Sequence, residues 1–261
     1  MCDKINNYNT NMVHYNDIID TNSNNKQTQF NKKSILLHFL IMILSLTEED
    51  GRVCKGKFLN GLRHGNGTES YPNNTYYDGE FKNNKKDGFG TLLSTDQSIL
   101  HTGLWKNDLC VGEGVKFYKN HESYLKFEGS FLQGTQSGPG MLTLKDESIL
   151  IGKWIRNNPM DGQWQITYPS TSLSTTYSGA AAFFPEINKN MPLPQGEGTM
   201  NYVNDDVCNG QFYKGQRSGK GICKYANGDV WDGTWDNDEW DNCVGVLTYA
   251  DGTVERFDGN N

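Results

Sequence analysis

Side chains along most of the chain follow a period of two, with aromatic residues and glycines alternating with polar positions. A glycine preceded two positions earlier by an aromatic or similar residue recurs eight times. Two positions after that glycine, seven of the eight residues are aromatic. Because a spacing of two places side chains on one face of a β-strand, each recurrence predicts a strand with an aromatic–glycine–aromatic face.

A second strand is predicted in each unit by a Gly-x-Gly pair followed by tyrosine. The pair begins nine residues after the first glycine in five units, and tyrosine follows four residues after the pair in six of the eight units. Short loops of polar residues and glycine join the two strands, so each unit is predicted to be a β-hairpin, and Asn-Gly or Asp-Gly turns lead into the next. Successive units are spaced by 23, 24, 26, 23, 27, 31 and 23 residues.

Glycine inside a strand weakens it unless another group needs the space. We expect aromatic rings of neighbouring strands to lie over the bare glycine backbone and so fill that space. The residues assigned to this repeat framework are Gly56, Phe58, Gly65, Gly67, Tyr71, Tyr77, Gly79, Phe81, Gly88, Gly90, Gly103, Trp105, Gly112, Gly114, Gly129, Phe131, Gly138, Gly140, Gly152, Trp154, Gly210, Phe212, Gly219, Gly221, Tyr225 and Gly233.

The segments YDGEFKNNKKDGFG, FEGSFLQGTQSGPG and CNGQFYKGQRSGKGICKYANGDV resemble MORN repeats, and the resemblance covers Val53 to Gly252. It implies an all-β fold, an elongated single-layer antiparallel β-meander of about eight stacked MORN-type β-hairpins. Two units depart from the pattern. The fifth has Trp164 in place of its second paired glycine, and the sixth has Ala181 in its aromatic column. The sixth also carries an insertion, for which we expect a protruding loop at about 182–195 and weaker stacking nearby.

The N-terminal region differs from the repeats. Residues 1–33 are rich in asparagine and predict a disordered tail. Within residues 34–50, the apolar run Ile35–Leu46 has twelve residues, whereas a membrane span needs ~20. It is interpreted as a buried helix or strand that caps the folded part. A membrane-associating or signal-anchor segment and a wrongly assigned start of the coding sequence are the alternatives. Residues 51–261 are assigned to the repeat domain.

The charge of the chain is concentrated at its C-terminal end. The formal net charge is −7, and the segment Asp229–Asn261 alone contains nine acidic residues and one basic residue. An acidic chain without a basic stripe argues against nucleic acid as a partner and weakens purely electrostatic attraction to anionic lipid. Hydrophobic residues make up 35% of the chain, which is low for one large packed core.

Six cysteines are spread along the chain, and no two have the spacing of a metal knuckle or redox motif. We expect them to be reduced thiols in a cytosolic protein. Cys54 and Cys208 occupy the aromatic column and Cys243 replaces a glycine, so these three are predicted to be buried and unreactive.

The stretch YKGQRSGKGICKY superficially resembles a phosphate-binding loop. Three residues separate Gly215 from the Gly219-Lys220 pair, whereas a Walker loop has four, and no helical pattern follows. Lys220 occupies the variable position of a Gly-x-Gly pair, which favours a surface side chain. No catalytic, cofactor-binding or metal-binding residue is therefore assigned.

Tryptophans and acidic residues alternate near the C-terminus. The candidate partner-binding residues are Trp231, Asp232, Trp235, Asp236, Asp238, Glu239 and Trp240. One interpretation is a solvated acidic edge that prevents pairing with other chains. The other is a docking patch for a basic partner, with tryptophan as the anchor.

An open repeat sheet offers a long surface and no enclosed cavity, which favours binding over chemistry. The resemblance implies scaffolds of the cytoskeleton, cilia and membrane junctions, and accessory regions of lipid kinases and a lysine methyltransferase. No segment outside the repeats is long enough for a catalytic domain, so we expect a non-enzymatic scaffold or adaptor without cofactors that binds other proteins. The expected location is cytoplasmic, with cytoskeletal or membrane association. The alternatives are a peripheral phospholipid-binding module and an accessory module of an enzyme on another chain. The open sheet edges permit a homodimer.

Overall fold

The computed structural model describes residues 41–239 and 243–259, which form β-strands joined by short turns. The strands are β1 Ile41–Thr47, β2 Val53–Leu59, β3 Leu62–Ser70, β4 Tyr76–Lys82, β5 Lys85–Leu93, β6 Ile99–Lys106, β7 Leu109–Phe117, β8 Tyr124–Leu132, β9 Thr135–Leu144, β10 Ile149–Ile155, β11 Asn158–Pro159, β12 Gly162–Thr167, β13 Ser174–Ala182, β14 Leu193–Tyr202, β15 Val207–Tyr213, β16 Gln216–Lys224, β17 Val230–Trp235, β18 Val244–Thr248 and β19 Val254–Asp258.

The chain divides into two compact parts, the N-terminal part (residues 1–109) and the C-terminal part (residues 110–261). In the N-terminal part, strands β1 to β6 each pair antiparallel with their neighbours in the sequence. In the second, the strands up to β19 pair in the same way, and β10 pairs with β9, β11 and β12. The predicted all-β antiparallel meander of hairpins is therefore confirmed.

The hairpin turns explain the residues between the paired strands. Asn83 and Asn84 have φ of 51° and 68°, and Asn237 and Asp238 have φ of 51° and 69°. Two successive residues with positive φ are the mark of a type I′ turn, whose twist matches that of the flanking strands and which favours Asn, Asp and Gly. The polar loops of the sequence are thus two-residue turns that hold each hairpin in register.

Aromatic rings cover the second glycine of several Gly-x-Gly pairs. A Cβ on Gly140 would lie 2.6 Å from Cε2 of Phe127, and a Cβ on Gly198 would lie 2.4 Å from Cζ of Tyr177. Gly219 has a different reason to be glycine. Its φ is +95°, and a Cβ there would meet the side chain of Gln211, so the expectation of a ring over Gly219 was wrong.

The fifth unit keeps the ring-on-glycine contact by reversing its direction. A Cβ on Gly152 would collide with the indole of Trp164, which comes from the second strand instead of the first. Trp164 is 2% exposed and makes an edge contact with Trp154 at a centroid distance of 5.0 Å. The ring that replaces the missing glycine therefore supplies the packing that Leu150, in the aromatic column, lacks.

The insertion of the sixth unit is buried at its C-terminal end. β13 continues to Ala182 and β14 begins at Leu193, so the connection is shorter than the predicted loop. Met191 is 9% exposed and belongs to the same core cluster as Trp164 and Ala181, while Pro192 is almost fully buried. Burying the apolar Met191 and Pro192 against the aromatic core is more favourable than exposing them. The middle of the connection, Pro185–Ile187, is exposed, and the protruding loop stays a prediction.

Two of the cysteines are bonded to each other. Cys208 and Cys223 lie directly opposite in the β15–β16 pair and form a disulfide. The prediction that all cysteines are reduced was wrong for this pair, because their alignment depends on the register of two strands. Cys54 and Cys243 are free and buried, and burial raises the pKa of the Cys54 thiol to about 11, which keeps it protonated.

Part of the N-terminal apolar run lies in strand β1, whose Leu46 pairs with Cys54 of β2. The predicted disordered tail, residues 1–33, and the start of the apolar run lie outside the described residues. No helix in residues 41–239 and 243–259 is long and apolar enough to cross a membrane.

Candidate functional site

Four positions recur together in successive hairpins, and the fourth of them lies in a turn. The first is the tyrosine at the end of one repeat unit. The second, which we call the central residue, stands two positions before the Gly-x-Gly pair of the next repeat unit. The third is the tryptophan of the repeat unit after that, and the fourth is an Asp or Asn (Asx) three residues after this tryptophan. The Lys86 site comprises Tyr71, Lys86, Trp105 and Asp108, the Gln136 site comprises Tyr118, Gln136, Trp154 and Asn157, and the Arg217 site comprises Tyr202, Arg217, Trp235 and Asp238.

The backbone holds the three sites in the same geometry. In each, the central residue donates its backbone N–H to the Asx side chain, at 2.9 Å from Lys86 to Asp108, from Gln136 to Asn157 and from Arg217 to Asp238. The Asx backbone N–H donates back to the carbonyl of the central residue at 2.9 to 3.0 Å. Because the Asx sits in a left-handed turn position, its side chain can reach the adjacent hairpin.

The Lys86 site is filled by its own ammonium group. Nζ of Lys86 lies 5.0 Å from the ring centroids of Tyr71, Tyr77 and Trp105. A cation this close to three aromatic rings is attracted by their negative faces. The three rings of the Lys86 site are therefore occupied by a side chain of the protein itself, and the site is part of the internal packing.

The Arg217 site holds its cation against one wall. The Arg217 guanidinium carbon lies 3.8 Å from the Trp235 ring centroid and 5.8 Å from that of Tyr202. Nε of Arg217 also donates to Asp238 Oδ1 at 2.8 Å. The charge of Arg217 is thus balanced by Asp238, and its flat face extends the aromatic wall.

An open groove of about 580 Å³ adjoins the Arg217 site. It is lined by Tyr202, Tyr225, Trp235 and Arg217, with Leu173 and Val203 at its rim. Leu173 is 85% exposed and Val203 is 59% exposed, so the rim is apolar and accessible. The backbone N–H of Val203 donates to the carbonyl of Leu173 at 3.0 Å, which ties the two rim loops together.

The groove combines neutral aromatic walls with an acidic rim. Burial raises the pKa of Tyr202 and Tyr225, so both hydroxyls stay protonated at neutral pH. Asp206 and Asp238 also line the groove. An apolar group can pack on these walls, and a basic neighbour can meet the carboxylates.

The tryptophans predicted as docking anchors are buried. Trp231 is fully buried and Trp235 is 6% exposed, and both belong to a core cluster with the Cys208–Cys223 disulfide. The anchor role predicted for these two rings does not fit, since period-two spacing directs them to the core face; only Trp235 reaches the groove. Trp240 lies outside the described residues. Asp232, Asp236 and Glu239 are exposed, and the acidic docking patch that they form stays a prediction.

The segment that resembles a phosphate-binding loop lies mostly within a strand. The Gly219-Lys220 segment runs inside strand β16, and the backbone N–H of Lys220 donates to the Gln211 side chain at 3.3 Å. Within the part of the chain that the structure describes, no group of three or more His, Cys, Asp or Glu residues is arranged to hold a metal ion.

The groove was not predicted from the sequence, although part of its signal is present there. Lys86, Gln136 and Arg217 stand at one repeat position, two residues before a Gly-x-Gly pair. An Asx follows three residues after a tryptophan in the same three places. The repeat register therefore identifies the lining side chains, but only the fold shows which site is open.

The MORN repeat family profile matches residues 54–76, 77–99, 101–123, 127–149, 208–230 and 244–254. The chain belongs to the MORN-repeat family. MORN repeats are interaction modules and are not catalytic. Residues 150–207 lie between the matched repeats and contain the reversed fifth unit and the insertion. Their strands nevertheless continue the MORN hairpins with the same antiparallel pairing.

Two curated relatives share part of this MORN array. Human Alsin is 31% identical over 109 residues, which is 38% of this chain and 6% of Alsin. MORN repeat-containing protein 3 of Xenopus laevis is 33% identical over 84 residues, which is 30% of this chain and 35% of that protein. The chain thus spans a small part of Alsin and about a third of the Xenopus protein.

Among solved structures, the SAS-4 (dCPAP) TCP domain of Drosophila melanogaster, in complex with a proline-rich motif of Ana2 (dSTIL), aligns with 91% of this chain and 97% of that chain. The TM-score is 0.31 and the sequence identity 10%, a similarity too weak to establish a common fold.

Proposed function

We propose that this MORN array is a non-enzymatic adaptor that binds other proteins through the groove at the Arg217 site. The observation that carries the proposal is the groove of about 580 Å³ with aromatic walls and the exposed Leu173 and Val203 at its rim. Exposed apolar patches next to polar residues mark sites of protein interaction. The rings are held by the repeat framework, so little ordering entropy is lost when a partner docks.

The proposal is tested by quantitative mass spectrometry of proteins that co-purify with the full chain. We expect the double substitution Leu173→Lys and Val203→Lys to deplete a defined set of partners, because it places two charges on the apolar rim. Leu132→Lys is the matched control, since Leu132 is 60% exposed in the same C-terminal part of the chain, residues 110–261, but does not line the groove. An unchanged set of partners with the double variant would contradict the proposal. A catalytic subunit in the depleted set would identify the chain as an accessory module of that enzyme.

Binding to a phospholipid surface is a second candidate, favoured by one observation in the N-terminal part of the chain, residues 1–109. Phe89 and Leu104 lie directly opposite each other in the β5–β6 pair and are 58% and 46% exposed. Adjacent exposed apolar side chains can enter the headgroup region of a membrane.

Liposome flotation separates the two candidates. We expect the full chain to remain unbound to vesicles of phosphatidylcholine and phosphatidylserine, because an acidic chain gains little from an anionic surface. Flotation that is lost on Phe89→Asp with Leu104→Asp, and kept with Leu132→Asp, would instead establish the membrane candidate. The cytoplasmic location and the homodimer remain proposals, and the argument for the former from reduced thiols no longer holds for Cys208 and Cys223.

A further inference from the structure

The Gln136 site is covered by a segment of the chain itself. Asn190 and Pro192 of the insertion line the space beside Trp154 and Trp164, and only about 20 Å³ remains there. Pro192 is almost fully buried. The insertion thus acts as an internal occupant of one of the recurring sites.

The Arg217 site has the same architecture without such an occupant among the described residues. Its tyrosine, tryptophan and Asx stand at the same repeat positions as those of the Gln136 site, with the same 2.9 Å backbone bond to the Asx. The space beside it measures about 580 Å³, against about 20 Å³ at the covered site. The covered site therefore offers a template for an occupant of the open site.

The conformation of the covering segment suits an aromatic wall. The backbone N–H groups of Asn190 and Met191 both donate to the Asn188 side chain, at 2.9 and 3.3 Å, so the segment satisfies its own donors before it reaches the core. Proline has no N–H to satisfy and a fixed φ, so Pro192 can be buried at a low cost in entropy. The Met191 thioether adapts to irregular aromatic surfaces.

The acidic residues at the groove of the Arg217 site favour a bound segment that carries a basic residue. Arg217 is paired with Asp238, while Asp206 adds a second carboxylate to the groove. The segment Asp229–Asn261 adds nine acidic residues and one basic residue to this end of the chain. A basic residue beside the apolar pair would be attracted to this rim, as complementary charges steer association. The insertion itself carries Lys189 two residues before Met191.

We propose that the groove at the Arg217 site binds an extended segment of a partner protein in which an apolar–proline pair follows a basic residue, in the manner of the chain's own insertion. This inference rests on the proposed function and adds the chemistry of the partner. The proposed occupant is a peptide, since a peptide segment, the insertion, occupies the equivalent position at the Gln136 site.

The probe is a fluorescein-labelled peptide of residues 187–195, with the sequence INKNMPLPQ, added to the purified full chain. We expect saturable binding by fluorescence anisotropy. Leu173→Lys with Val203→Lys is expected to raise Kd about tenfold or more, because it removes apolar contact and repels the lysine. Leu132→Lys should leave Kd unchanged. A peptide with both prolines replaced by glycine, and one with Lys189→Glu, should each bind more weakly.

Absence of saturable binding up to about 1 mM peptide would overturn the inference. Binding that is unaffected by the rim substitutions would also overturn it, because the peptide would then occupy another surface. Circular dichroism of the rim variant checks that the sheet is retained. If the peptide fails while the rim variant still loses co-purifying partners, the proposed function stands and only the partner chemistry is wrong.

Discussion

Replacing Gly140 with valine is expected to lower the free energy of unfolding by more than about 3 kcal/mol. A Cβ at this position would lie 2.6 Å from Cε2 of Phe127 and 3.2 Å from the Glu128 carbonyl oxygen. Phe127 is fully buried and packs edge-on against Phe131 and Trp154, so its ring cannot move away. Urea denaturation measures the loss. Hydrogen exchange of β8 and β9 shows whether it is local, as expected for stacked repeats.

Two variants separate steric conflict from backbone strain. Gly252→Ala introduces a Cβ with no atom within 4 Å but at φ +88°, so it should cost only about 1–2 kcal/mol. Combining Gly140→Val with Phe127→Leu should recover part of the stability, because the smaller side chain leaves room for the new methyl groups. Equal stability of Gly140→Val and the wild type would show that the ring does not need the bare backbone.

Glu69→Ala is expected to destabilise the first unit by about 3–5 kcal/mol. Glu69 is 3% exposed and its Oε1 lies 2.6 Å from Arg63 and 2.7 Å from Arg52. Arg63 is 7% exposed, so removal of the carboxylate leaves a buried guanidinium without its counter-charge. The measurement is urea denaturation at neutral pH. Hydrogen exchange should show increased opening of β2 and β3.

A double variant and a change of pH test the same cluster. Arg63→Met with Glu69→Leu removes both charges and should recover most of the lost stability, whereas Asp50→Ala at the exposed end of the cluster should change it by less than about 1 kcal/mol. Burial alone would raise the pKa of Glu69, but hydrogen bonds from Tyr71 and Arg63 outweigh it and lower the pKa below its ordinary value of 4.5. The advantage of the wild type over Glu69→Gln should therefore be full above pH 4.5 and decline as the pH falls through the lowered pKa of the folded state. An advantage that grows with acidification would contradict this account.

The framework of the repeats could be predicted because it is local. Aromatic–glycine–aromatic spacing and the Gly-x-Gly pair lie within about nine residues, and strand periodicity converts them directly into faces. The type I′ turns were within reach as well, since Asn and Asp pairs tolerate positive φ. The recurring central position of the three sites was overlooked, because Lys86, Gln136 and Arg217 differ in chemistry and only the register reveals that they are equivalent.

The irregular units show where local reasoning stops. In the first repeat unit, Glu69 stands where Leu142 and Ile166 stand in later repeats. Its buried carboxylate is tolerated because it forms salt bridges with Arg63 and Arg52. In the fifth, the ring of Trp164 covers Gly152 from the opposite strand. Both compensations depend on side chains brought together across strands, so no single segment contains them.

The sequence by itself determined that this protein is a series of antiparallel β-hairpins with a glycine–aromatic core face, and that it is a MORN-repeat protein. These properties follow from spacings within one strand or one turn. Only the tertiary structure decided that the insertion covers the Gln136 site, that the Arg217 site is open, and that Cys208 and Cys223 are joined. The physical reason is that each of these depends on strand register and on competition for apolar contact between segments, and both are settled when the hairpins pack.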